Sequence, residues 1–221
     1  MKKQYKLAIF DLDGTVLDTL DDLADSVNAV LTKQDYPTHT REEICSYVGN
    51  GIALLIARAV PKGTSKQDEL AVLADFKAYY KAHCAEKTAP YKGIPEMLVR
   101  LRAAGVQTAV LSNKADFATQ ALCKQYFEGL FDAVAGEREA EGIPKKPAPD
   151  AVFALMKQLG VADEETVYIG DSEVDVQTAV NAGVDAILVS WGFRTPQALR
   201  EAGATVVLDT PDAVFCAITG Q

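Results

Sequence analysis

The chain has 221 residues, room for one large domain or for a domain carrying a smaller insertion. Of these, 48% are hydrophobic and no tract is of low complexity, so a packed core is expected. A formal net charge of −9 and a pI near 4.8 argue against nucleic acid or an anionic membrane as a partner.

Met1 to Lys6 is basic, but the apolar run behind it stops at Asp11. That is too short for a signal peptide or a transmembrane helix, and a cytosolic protein is expected. The first strand is read at Leu7-Ala8-Ile9-Phe10 and ends on Asp11-Leu12-Asp13-Gly14-Thr15. In an extended segment, side chains two apart share a side, so Asp11 and Asp13 would project together. Two such carboxylates repel unless a cation sits between them.

Residues 19–86 hold no strand-like run. Leu20, Leu23, Val27, Val30 and Leu31 recur at helical spacing behind an Asp18 or Thr19 N-cap. Gly49-Asn50-Gly51 interrupts, IALLIARAV reads as a mostly buried helix, and DELAVLADFKAYYKAHCAE as a long one. A crossover between parallel strands needs about 10–12 residues, so this excess reads as an all-helical insertion. The expected division is a helical domain over 17–86 and a core made of 1–16 and 87–221.

From Pro90 the texture alternates. Helices at EMLVRLRAAG, 116–126, 149–159, 174–182 and RTPQALREAG separate strands at VQTAVLSN, FDAVAGE, TVYIGD, DAILVSW and TVVLD. That pattern predicts an α/β fold, a Rossmann-like parallel sheet with helices on both faces, whose ligands bind at the carboxyl ends of the strands. The four cysteines, Cys45, Cys84, Cys123 and Cys216, form no C-x-x-C pair and read as buried small side chains. None has an arginine six positions on, and His39 and His83 offer no material for a triad or a zinc site.

The strand ends carry the chemistry. Besides the first, Ser112-Asn113-Lys114 closes the second strand, and Gly170-Asp171-Ser172 closes the fourth, with Asp175 one helical turn on. Lys145-Lys146-Pro147-Ala148-Pro149-Asp150 is a proline-rigid loop between them. Acids that would repel a phosphate need a hard cation, and all-oxygen ligands point to Mg²⁺. Ser112, Asn113 and Lys146 can donate to phosphate oxygens. One aspartate could attack phosphorus while the other shuttles the proton.

With D-x-D-G-T, S-N-K, K-P-x-P-D and G-D-S-x-x-D in this order, the chain resembles the haloacid-dehalogenase (HAD) superfamily along essentially its whole length. Within it, the chain is similar to the phosphoglycolate phosphatase-like members with a helical cap. The resemblance implies Asp11 as nucleophile and Mg²⁺ ligand. Asp13 would be general acid/base and give its backbone carbonyl to the metal. Asp171 would ligate Mg²⁺, and Asp175 would support that metal shell. Thr15, Ser112, Asn113 and Lys146 would hold the phosphate, Lys146 also pairing with Asp11. Lys145 is the rival of Lys146, while Lys114 is expected to face solvent and Arg194 to be a solvated loop residue.

Asp13 sets the chain apart from the dehalogenases themselves, and Thr15 from the β-phosphoglucomutases. A small phosphorylated metabolite is the expected partner, 2-phosphoglycolate first, with Gly49, Asn50 and Gly51 as the substrate-reading loop. Pyrophosphate and sugar phosphates are alternatives. So, from another class, is an inert phosphometabolite-binding regulator, although such a protein would be expected to lack one of the aspartates.

Overall fold

The computed structural model describes residues 3–221 and divides into two compact units. One unit is formed by the chain up to Leu17 together with Pro90–Gln221, the other by Asp18–Ala89. In chain order, β1 (Leu7–Phe10) leads to β2 (Leu17–Asp18), followed by helices α1 (Leu20–Lys33), α2 (Arg41–Tyr47), α3 (Ile52–Ala59) and α4 (Lys66–His83). Next come β3 (Ala89–Pro90), α5 (Ile94–Ala103), β4 (Gln107–Ala115), α6 (Asp116–Phe127), β5 (Ala133–Glu137) and α7 (Asp150–Leu159). The chain closes with β6 (Thr166–Gly170), α8 (Glu173–Ala182), β7 (Asp185–Val189), α9 (Pro196–Glu201), β8 (Val207–Leu208) and α10 (Pro211–Thr219). The short β2 and β3 pair where the chain leaves and re-enters the first unit.

The α/β unit is built on a six-stranded sheet in the order β5-β4-β1-β6-β7-β8, and every registered strand pair in it is parallel. All four residues of β1 are buried, because helices cover both faces of such a sheet. Leu7 and Ile9 join Ala109, Leu111, Val152, Leu155, Tyr168 and Ala179 in one core layer, under α7 and α8. Phe10 lies opposite Val110 on one side and Ile169 on the other. The chain first extends the sheet through β4 to β5, then crosses β1 to lay down β6, β7 and β8. The order therefore reverses at β1, and the crevice at a reversal is where this architecture binds ligands.

In the helical unit, α1 buries Leu20, Leu23, Val27, Val30 and Leu31, the residues whose spacing predicts it. The Asp18 carboxylate accepts from the Leu20 N–H at 3.4 Å, whereas Thr19 makes no side-chain cap. The unit extends past residue 86 because the backbone N–H groups of Lys87 and Thr88 donate to the buried Asp22 carboxylate at 2.8–3.1 Å. Helix α3 is less buried than its composition suggests: Leu55, Ile56 and Ala59 face inward while Leu54 is 40% exposed. Helices α2 and α10 are additions to the sequence reading. Thr40 and Glu43 close a capping box on α2, and Thr210 with Pro211 starts α10. The cysteines are all free, and only Cys123 is fully buried, which corrects the expectation for the other three. Among the described residues no helix is long and apolar enough to cross a membrane.

Candidate active site

Strand β1 stops at Phe10, and the Asp11 N–H still reaches the Ile169 carbonyl at 2.8 Å, so Asp11 stands at the rim of the sheet. The chain then turns sharply. The Leu12 carbonyl accepts from Val16 and Leu17, and Gly14, at φ +82°, donates to the Leu17 carbonyl. This turn sends Asp11 and Asp13 to different partners. Asp11 Oδ1 accepts from the Leu12 N–H at 2.7 Å and from Lys146 Nζ at 2.9 Å. Its Oδ2 accepts no hydrogen bond from any described residue.

Both Asp13 oxygens instead meet Lys114 Nζ, at 2.9 and 3.2 Å. This corrects the expectation for Lys114, whose side chain is only 2% exposed. Strand β4 continues to Ala115, past the end its sequence suggests, and the extended backbone carries Lys114 inward rather than out into a loop. Lys145, by contrast, pairs with Glu139 at 3.1 Å and is one-third exposed.

Lys146 is buried and makes three contacts: Asp11 at 2.9 Å, Asp175 Oδ1 at 2.8 Å and the Tyr168 hydroxyl at 3.0 Å. Its loop is clipped to β4 by Asn113, whose amide Nδ2 donates to the Lys146 carbonyl at 3.0 Å while Oδ1 accepts from the Lys146 N–H at 2.9 Å. The Asn113 side chain, expected on the phosphate, is thus engaged in holding Lys146. Ser112 Oγ accepts from the Lys114 N–H at 3.2 Å.

At the end of β6, Asp171 is 1% exposed and receives the Phe193 N–H at 2.6 Å and the Thr15 hydroxyl at 3.3 Å. Thr15, expected on the phosphate, is fully buried, and its hydroxyl donates to Asp171. Asp175 caps α8, with Oδ2 accepting from the Asp171 and Ser172 N–H groups and from Ser172 Oγ at 2.6–3.2 Å. Two glycines allow this packing. A Cβ on Gly170 would sit 2.3 Å from Asp175 Cγ, and one on Gly192 would sit 2.3 Å from Asp171 Cβ.

Asp11, Asp171 and Asp175 each offer an oxygen within 4.8 Å of the others, and all three are buried. Burial pushes the Asp11 carboxyl up to about 7, Lys146 acting against that shift and Asp175 adding to it. Burial, then repulsion from Asp175 and Asp11, holds Asp171 well above the usual carboxylate range. Burial works against the charge on Lys146, but Asp11 and Asp175 outweigh it and keep its ammonium well above its ordinary value. Such a cluster favours a positive charge between its acids.

Sequence reasoning missed the hydrogen bonds that Tyr168, Trp191 and Phe193 bring to the site. Tyr168 gave no signal beyond that of a core aromatic in an apolar strand. Trp191 Nε1 donates to the Thr15 carbonyl at 3.0 Å, tying the loop after β7 to the Asp13 turn. Arg194, expected in solvent, is mostly covered and paired with Glu173 at 2.9 Å. Gly49, Asn50 and Gly51 lie in the helical unit between α2 and α3, with Gly51 as the N-cap of α3 at φ +84°.

Residues 8–189 match the family model described as haloacid dehalogenase-like hydrolase. The chain is 34% identical over 215 residues to a phosphoglycolate phosphatase of Pseudomonas syringae pv. tomato, covering 94% of this chain and 77% of that one. It is 33% identical over 219 residues to the phosphoglycolate phosphatase of Colwellia psychrerythraea, covering 95% and 96% of the two chains. Among solved structures, a protein from Lactobacillus delbrueckii subsp. bulgaricus assigned as a phosphoglycolate phosphatase superposes with a TM-score of 0.94. That pair is 38% identical, with 99% and 100% of the two chains covered.

Proposed function

The chain belongs to the haloacid dehalogenase-like hydrolases and is a phosphatase, and from that premise we propose that it hydrolyses a small phosphate ester, 2-phosphoglycolate first, through a phosphoryl group carried on Asp11. The observation that carries this reading is the asymmetry of the Asp11 carboxylate. Oδ1 is fixed by Leu12 and Lys146, while Oδ2 stands at the rim of the sheet with no hydrogen bond from a described residue.

In the first half of the reaction Asp11 Oδ2 bonds to phosphorus, the bond from phosphorus to the ester oxygen breaks, and Asp13 gives its proton to that oxygen. In the second half Asp13 takes a proton from the water that attacks the phosphoaspartate, which releases phosphate and restores Asp11. Lys146 keeps Asp11 oriented and brings positive charge to the incoming phosphate, with Ser112 beside it. The donor set suits Mg²⁺: buried oxygen ligands whose pKa values are raised by burial and mutual repulsion, the state that a hard cation relieves. Asp11, Asp171 and the backbone carbonyl of Asp13 would hold it, and when bound it would neutralise charge on the phosphoryl group. Although Asp175 lies in the same cluster, its oxygens already take four hydrogen bonds, so it supports the shell from outside.

The relatives' names favour 2-phosphoglycolate as the substrate of this chain. Gly49, Asn50 and Gly51 are proposed to read its carboxylate through backbone N–H groups ahead of α3. A small cytoplasmic metabolite also agrees with the net charge of −9, which repels nucleic acid and anionic lipid. The test is phosphate release with Mg²⁺ across 2-phosphoglycolate, hexose phosphates, pyrophosphate and para-nitrophenyl phosphate. The highest kcat/KM is expected on 2-phosphoglycolate. A preference for hexose phosphate or pyrophosphate would overturn the substrate assignment, and no release from any of them would overturn the activity.

A further inference from the structure

Lys114 sits at the end of β4 with its side chain 2% exposed, and its Nζ contacts both oxygens of Asp13, itself only 14% exposed. A buried ammonium is costly unless paired, and a lysine free to reach water would take that option. Its confinement here therefore has a structural cause. Ser112 Oγ holds the Lys114 N–H, and the Thr119 hydroxyl of α6 donates to the Lys114 carbonyl at 3.2 Å, so strand and helix together fix the side chain's origin.

Asp13 has a problem that Lys114 answers. It lies two residues from Asp11, which with Asp171 and Asp175 forms a cluster of three buried carboxylates spaced to hold a metal ion. An unrestrained carboxylate at that position could join the cluster as a further oxygen ligand. It would then be lost as a proton carrier. We infer that Lys114 is the positioning residue for Asp13: its ammonium grips both carboxylate oxygens, holds them clear of the Asp11–Asp171–Asp175 cluster, and so keeps Asp13 where it exchanges a proton with the leaving oxygen. This rests on the phosphatase reading above, with Asp13 as proton carrier. Lys114 itself neither gains nor loses a proton in the step. The proton passes from Asp13 to the ester oxygen as the phosphorus–oxygen bond breaks, and Asp13 recovers it from the attacking water.

The experiment compares wild type, Lys114→Met, Lys114→Arg, Asp13→Asn and the Lys114→Met/Asp13→Asn double variant on 2-phosphoglycolate and para-nitrophenyl phosphate with Mg²⁺, with melting temperatures recorded for each. Lys114→Met should lower kcat on 2-phosphoglycolate by about 10²-fold, the loss typical of a misplaced reacting group, while KM stays near wild type. The loss should be smaller on para-nitrophenyl phosphate, whose leaving group needs less protonation. Lys114→Arg, which also grips a carboxylate at two oxygens, should recover much of the rate. In the Asp13→Asn background, removing Lys114 should cost nothing further. The double variant removes both charges together, so it remains informative if Lys114→Met fails to fold.

A Lys114→Met protein at wild-type rate beside a slow Asp13→Asn protein would overturn this proposal alone. So would an equal loss with and without Asp13, or a loss confined to KM on 2-phosphoglycolate, which would make Lys114 a direct substrate contact. A fully active Asp13→Asn protein would instead remove the reading on which the proposal rests.

Discussion

In the helical unit, Asp22 is 2% exposed, and its carboxylate is satisfied by two backbone N–H groups, those of Lys87 and Thr88. In the α/β unit, Asp11, Asp171 and Asp175 are buried too, but they crowd within 4.8 Å of one another. Asp22 lies where the chain needs an acceptor, and its carboxylate takes three hydrogen bonds from the backbone. The three acids at the sheet rim are answered in part by Lys146, and burial with the neighbouring charges still raises the pKa of Asp11 and Asp171. Burial of a carboxylate therefore does not mark a site. What marks it is convergence that leaves a demand for positive charge.

The widest separation between the two regions should appear in turnover. Asp11→Asn is expected to reduce phosphate release by at least ~10⁴-fold in a folded protein, as for loss of a nucleophile, while Asp22→Ala leaves the kcat of the folded fraction unchanged. A folded Asp11→Asn protein near the wild-type rate would end the assignment. Metal removal acts on the same contrast. Chelation should abolish activity, Mg²⁺ should restore it, and Ca²⁺ should support it poorly because it accepts more ligands at longer distances. Full turnover in a metal-free preparation would contradict this.

Stability tests the comparison on a smaller scale. Lys146→Met leaves Asp11 and Asp175 buried without their shared cation and should cost about 3–5 kcal/mol by chemical denaturation. Asp22→Ala strands two backbone donors and should cost about 1–3 kcal/mol. The reverse ranking would mean that the rim acids are less strained than their packing implies.

The gentlest probe is pH. An unfolded aspartate titrates at about 3.9, whereas burial pushes Asp11 up to about 7 and Asp171 shifts the same way. Between those values the folded state holds protons that the unfolded state has released, so metal-free stability should fall as pH rises from about 4 to 7. Mg²⁺ competes with those protons and should raise the melting temperature more at pH 7.5 than at pH 5. A metal-free protein that gains stability across that window would show that Asp11 and Asp171 do not hold protons there.

Much of this was legible in the sequence, and for definite reasons. The apolar run into Asp11, the G-D-S-x-x-D end of β6 and the alternation of strands with helices are local patterns, and the topology then brings their ends together. The partners were not legible. Lys114 reads as a surface lysine because nothing nearby in sequence shows that β4 runs on through it. Asn113 is expected on the phosphate because its side chain can donate, and Thr15 because the family resemblance implies it. Only the folded chain shows those groups engaged with Lys146 and Asp171. Tyr168 lies in an apolar run, and its hydroxyl's role depends on a loop 22 residues away. Helix α10 went unread although Thr210-Pro211 is a start signal, since the nine residues that follow carry only a short apolar stripe.

Asp175 caps the first turn of α8 and balances Lys146 with the same carboxylate. Secondary structure and chemistry thus share one point of failure. A molecule that lets go of the first turn of α8 also releases its lysine counterion. Only a replacement that caps without a charge, such as Asp175→Asn, would separate the two, keeping the turn while leaving Lys146 without that counterion. Most other replacements at this residue would loosen the start of the helix and unbalance the lysine together.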